Sequence, residues 1–184
     1  MRGLVPKVTK LDGRERLEMP PSLLERVSVD FPGYRVPGDS DMIGAWGPES
    51  PTGAWFREKW PDSLPFVTWG DYNGDVFVDI AVLLLSPEQW KLVVFHQSLG
   101  PTFTPFEVTG STITNDDHGQ ELLTKLFIST LRKGSDLVPT TNPNVRLGAP
   151  FDVDAIDLVG LRDEEYIYHW NGTQYEELLG SVYE

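Results

Sequence analysis

The sequence predicts a mainly β, α+β fold: an antiparallel sheet of about six to seven strands in hairpins, with one amphipathic helix at about 117–132 and a short N-terminal helix at about 21–29. Three features carry this expectation. The run Ile80-Ala81-Val82-Leu83-Leu84-Leu85 has the length and composition of a buried strand. Asn171-Gly172, set between alternating segments, is a strong hairpin signal. Leu122, Leu123, Leu126, Phe127 and Leu131 recur at helical spacing.

In order along the chain, residues 1–20 are polar and mixed in charge, an expected extended arm ahead of a single β-rich domain at 21–184. Pro20-Pro21 opens the short helix, because proline tolerates the first helical turn, and Phe31-Pro32-Gly33 ends it. Residues 37–65 are rich in Gly, Pro, Ser and Trp with weak periodicity, and read as a long packed loop. Strands follow at 66–69, 80–85 and 90–96, the last two joined by Ser86-Pro87-Glu88-Gln89, and another at 103–108. Asp117 and Gln120 form a capping-box pair that starts the longer helix, and Gly134 ends it. After a proline-bearing loop at 135–151, strands are expected at 155–161, 165–170 and 174–178. The segment beginning at Asp154 echoes the one beginning at Asp79: an Asp, an apolar strand, an acidic turn and an aromatic-ended return strand. Two hairpins of one sheet account for the echo as well as duplication does.

Composition narrows function. The 184 residues suffice for one domain with a working core, and apolar content of 40% is ordinary for one. No apolar run approaches the roughly 20 residues that span a bilayer, so membrane insertion is not expected. A formal charge of -13 argues against nucleic acid and against anionic membrane, and fits a cation or a basic protein partner. Zero cysteine excludes disulfides, thiolate metal sites and cysteine nucleophiles. The first residues carry charge without an apolar core, so no signal peptide is visible; the expected compartment is cytoplasmic if Met1 is the native start, and periplasmic or extracellular if the chain is a mature form.

The chemically suggestive segment is Gly70-Asp71-Tyr72-Asn73-Gly74-Asp75-Val76-Phe77-Val78-Asp79. Asp71, Asn73, Asp75 and Asp79 bring oxygen-bearing side chains to spacings that can converge on one hard cation, and calcium, with its flexible six to eight oxygen ligands, suits this better than magnesium. An EF-hand is excluded, because Val76 and Val82 stand where glycine and a bidentate glutamate belong. Asp and Asn also form metal-free turns by bonding neighbouring N–H groups, and the sequence leaves both readings standing.

This loop together with Ile80-Ala81-Val82-Leu83 resembles the calcium-binding repeat of the FG-GAP and VCBS families, single degenerate copies of which occur in small bacterial proteins of unknown function. Segments 32–37 and 169–175 resemble those proteins less specifically. The resemblance implies side-chain ligands from Asp71, Asn73, Asp75 and Asp79, a backbone carbonyl from Phe77, and a structural Ca2+. Two departures stand out. Val76 occupies the place of the usual glycine, where a positive φ is needed, and one clear copy is too few for a closed propeller.

Other candidates read more simply as structure. Asp116, Asp117 and His118 near Ser111 lack the G-x-S-x-G setting of a nucleophile, and the acids suit a helix N-terminus. His96 and His169 read as hydrogen-bonded packing residues without zinc spacing. Trp46, Trp55, Trp60 and Trp69 serve better as core than as a stacking platform. No catalytic residue is assigned. The leading expectation is a non-enzymatic binding or interaction module with one FG-GAP-like calcium loop. The alternatives are an acidic inhibitor or immunity-type protein that neutralises a basic toxin or enzyme, and, last, a metal-dependent hydrolase.

Overall fold

The structure is a computed structural model that describes residues 3–11, 14–38, 41, 50–59, 64–112, 126–134, 152–160 and 164–182. It is strand-rich, with three antiparallel sheets and two helices among the described residues. Strands β1 (Lys7–Leu11) and β2 (Arg14–Glu18) make a separate hairpin within the N-terminal twenty residues. Helix α1 (Pro21–Asp30) follows as expected, with Pro21 in its first turn and Leu23 and Val27 buried one turn apart.

The first large sheet is a meander of β3 (Val67–Gly70), β4 (Asp79–Leu85), β5 (Gln89–Gln97) and β6 (Phe103–Thr112), in that spatial order. All seven residues of β4 are buried, which is why its sequence is apolar rather than alternating. The register of β4 on β5 runs from Ile80 opposite Phe95 to Leu85 opposite Trp90. Strand β6 ends the sheet, carries a bulge opposite Leu92 and Val93, and tolerates Pro105 opposite Phe95 because it lies at an edge. Helix α1 leans on this sheet, where Phe31 meets Phe95 edge-on at 6.2 Å.

The second large sheet repeats the plan with β7 (Leu126–Leu131), β8 (Ala155–Gly160), β9 (Glu164–Trp170) and β10 (Tyr175–Val182). One apolar cluster includes Ile80, Val82 and Phe95 of the first sheet and Ile128, Ile156 and Leu158 of the second. Polar bonds reinforce the seam between β3 and β7. The Ile128 amide donates to Pro65 O at 2.9 Å, and the Thr68 and Thr130 hydroxyls meet at 2.7 Å.

Two expectations need correction. The helix expected at 117–132 fails at its C-terminal end, since Leu126–Leu131 is strand β7; residues 117–125 lie outside the described residues. The registry explains the failure: Phe127 and Leu131 stand opposite Val159 and Ala155, while Ile128 and Thr130 face the first sheet, a period of two that overrides the coincidental helical spacing. The stretch 37–65 is not all loop, because it contains helix α2 (Pro51–Lys59). That helix has little amphipathic pattern and is held by aromatic contacts: Phe56, 1% exposed, packs edge-on against Phe127 at 5.6 Å, and Trp55 meets the same ring at 6.0 Å. Trp69 is partly buried against the core, and Trp55 is half exposed beside Phe127; Trp46 and Trp60 lie outside the described residues.

Candidate functional site

The loop between β3 and β4 is ordered by its own side chains. Asp71 accepts the Gly74 amide at 2.8 Å through Oδ1 and the Val76 amide at 3.1 Å through Oδ2. Asn73 Oδ1 takes the Asp75 amide at 3.0 Å, and Asp75 Oδ1 takes the Phe77 amide at 2.9 Å. Asn73 Nδ2 also donates to Asp75 Oδ2 at 3.1 Å. These are the Asx bonds expected of a metal-free turn.

Asp79 closes the loop from below. It is fully buried at the start of β4; its Oδ2 accepts the Tyr72 and Asn73 amides at 3.0 and 3.2 Å, and its Oδ1 accepts the Gln97 amide at 3.0 Å. Burial pushes its carboxyl up to about 7, the nearby Asp75 charge adds to the rise, and the three amide bonds oppose it. The backbone turns through two left-handed residues, Gly74 at φ +80° and Val76 at φ +68°. A β-branched residue in that region costs on the order of 1–2 kcal/mol, and Val76 has little burial to offset it, being 58% exposed.

Two side chains anchor the loop to the second sheet. Tyr72 is fully buried and its hydroxyl meets Thr130 Oγ1 at 2.7 Å; burial also raises its pKa. Asp154, 6% exposed, accepts the Asp71 amide through Oδ2 at 3.0 Å, while its own amide donates to Asp71 O at 3.0 Å. The same carboxylate pairs with Arg132 at 2.9 Å and takes the Lys133 amide at 2.7 Å through Oδ1. Asp154 and Arg132 were not among the site residues read from the sequence. The available signal was the echo between the segments that start at Asp79 and Asp154.

Asp71, Asn73, Asp75, Phe77 and Asp79 therefore all belong to one loop. Among the described residues, no three His, Asp or Glu side chains converge closely enough to form a metal-holding group. The loop nonetheless offers the right donor types. The oxygens of Asp71, Asn73 and Asp75 each accept a single hydrogen here and keep a second lone pair; Asp79 Oδ2 accepts two amides, so at Asp79 the spare lone pair is on Oδ1.

The histidines separate. His96 is nearly buried on β5, with Nε2 at 2.7 Å from the Tyr175 hydroxyl of β10 and its ring against Phe106 and Trp170. Burial lowers its pKa to about 4, against a weaker opposing pull from Asp75, and burial raises the Tyr175 hydroxyl. His169 lies on β9 opposite Glu176, and Ser111 lies on β6 opposite Trp90. His118, Asp116 and Asp117 fall outside the described residues. Among the described residues no helix is long and apolar enough to cross a membrane.

Comparison of this chain with protein families, with curated proteins and with solved structures found no match.

Proposed function

We propose that the chain is a non-catalytic binding module whose 71–79 loop takes one structural calcium ion. The observation that supports this reading most directly is the left-handed backbone of Val76, the conformation that the glycine of an FG-GAP-like calcium loop supplies, here kept by a residue that pays for it. Asp71, Asn73, Asp75 and Asp79 would give side-chain oxygens and Phe77 its carbonyl. The cation would neutralise carboxylates crowded around the buried Asp79 and tie the end of β3 to the start of β4.

A hydrolytic role asks for a general base beside the loop. His96 senses the charge of Asp75, but it is bound to Tyr175 and shielded by aromatic rings. The partner class that suits a chain of charge -13 is a basic protein, approached by electrostatic steering.

The test is a thermal melt in millimolar calcium against chelator, with magnesium as control. Calcium binding to the folded state alone should raise stability with the logarithm of free calcium, by about 2.7 kcal/mol at a hundred times Kd. An unchanged Tm across the calcium series overturns the proposal.

A further inference from the structure

The loop is held from outside its own sheet. Asp154 and Asp71 exchange two bonds, one to a side chain and one between backbones: Asp71 N–H to Asp154 Oδ2, and Asp154 N–H to Asp71 O, both at 3.0 Å. The approach is so close that a side chain on the loop side would displace Asp154 or Val153 in two places. A Cβ on Gly70 would fall 2.7 Å from Asp154 Oδ2, and one on Gly74 would fall 2.9 Å from Val153 Cγ1. Arg132, half exposed at the end of β7, fixes the Asp154 carboxylate through its guanidinium, and the Lys133 amide fixes the other oxygen. With both Asp154 oxygens committed to protein donors, the residue is placed to hold Asp71, whose own carboxylate organises Gly74 and Val76.

We propose that Asp154 is a positioning residue for the 71–79 loop, acting through Asp71, so that the second sheet sets the ligand geometry of a loop that belongs to the first. Its calcium arm rests on the calcium reading; its structural arm does not. The coupling is reciprocal: whatever orders Asp71 also tightens the contact between the two sheets.

The experiment uses the full chain and two variants, Asp154→Ala and Arg132→Gln, the second on a half-exposed side chain that leaves the core intact. Amide hydrogen exchange is measured first without metal, at Tyr72, Gly74 and Val76, with Val93 and Val94 of β5 as internal reference. The expected result for Asp154→Ala is exchange at the loop amides faster by about tenfold with the β5 amides unchanged. For Arg132→Gln the same pattern is expected at a smaller amplitude, and it decides the question if Asp154→Ala does not fold. Loop protection equal to wild type, or loop and β5 amides accelerating together, overturns the proposal. Calcium titration of the same proteins then separates the two claims. Weaker calcium affinity in both variants supports the positioning role, and unchanged affinity overturns its calcium arm. A wild type that ignores calcium sinks the calcium reading while the exchange result stands on its own.

Discussion

Asp79 and Asp154 hold corresponding places in the two large sheets. Each stands at the entrance to the second strand, and each carboxylate takes the amide hydrogen of the residue two past the end of the first strand: Tyr72 after Gly70, and Lys133 after Leu131. Both are buried, so both turns are capped from the interior rather than by solvent. They differ in partner. Asp154 has a guanidinium, whereas Asp79 has three amides and a neighbouring carboxylate.

Burial of the Asp79 carboxyl sets a pH dependence. Asp79 has a folded pKa raised to about 7 from 3.8, so the folded state binds its proton more tightly than the unfolded chain. Its contribution to stability is fully present below about 3.8 and is lost as pH rises through about 7. Asp79→Asn removes the titration, so the stability of wild type relative to this variant should fall between pH 4 and 8 in chelator. Urea midpoints of the two proteins across that range check it. Parallel curves would remove Asp79 as the source.

His96 works in the opposite sense. Its folded pKa is lowered to about 4 from 6.5, so the stability it contributes is present above 6.5 and is lost as pH falls toward 4. His96→Gln should flatten the acid limb of a Tm-against-pH series while leaving the limb above pH 7 parallel to wild type. An unaltered acid limb would show that His96 is not the group being protonated.

Val76→Gly should stabilise the loop. The side chain is mostly exposed, so little packing is lost, and relief of the positive φ is worth about 1 kcal/mol after the entropic cost of glycine. Calcium affinity should tighten in parallel. A lower Tm with weaker calcium binding would mean that Val76 contributes contacts outweighing its backbone.

Thr130 is a hydroxyl node, bonded to Tyr72, Thr68 and the Trp69 carbonyl. Tyr72→Phe should cost about 1 kcal/mol, and Thr130→Val more, since it strips two buried hydroxyls of a partner. A double-mutant cycle should return a coupling of about 1 kcal/mol. Additive losses would mean that the bond across the seam contributes nothing.

Local signals made much of the sheet legible. The buried run of β4, the Ser86–Gln89 turn and the Asn171-Gly172 turn all describe structure set by near neighbours, and the strands they imply are present. Helix α1 was visible because proline opens it and Phe31-Pro32-Gly33 ends it. Strand β7 was hidden, because its apolar spacing satisfies two periods and the choice is made by Val159 and Ala155 across the ladder. Helix α2 was hidden because the aromatics that dock it on Phe127, Trp55 and Phe56, are adjacent in sequence and leave no helical period to read. Asp71, Asn73, Asp75 and Asp79 could be grouped from their spacing and Phe77 only through the family resemblance, and the hydrogen bonds that order their loop are local. Asp154 was not legible: the echo with the Asp79 segment marks its place in the second sheet, but carries no sign of its bond to Asp71, 83 positions away.

Strand β6 leaves the first sheet with an outer rim, and Pro105 sits partway along it. A foreign strand laid on that rim would find no amide hydrogen at this position and would meet the kink of the bulge opposite Leu92 and Val93. The proline thus discourages sheet-to-sheet polymerisation between molecules. Replacing it would offer an amide hydrogen to such a strand and expose the protein to fibrous self-association.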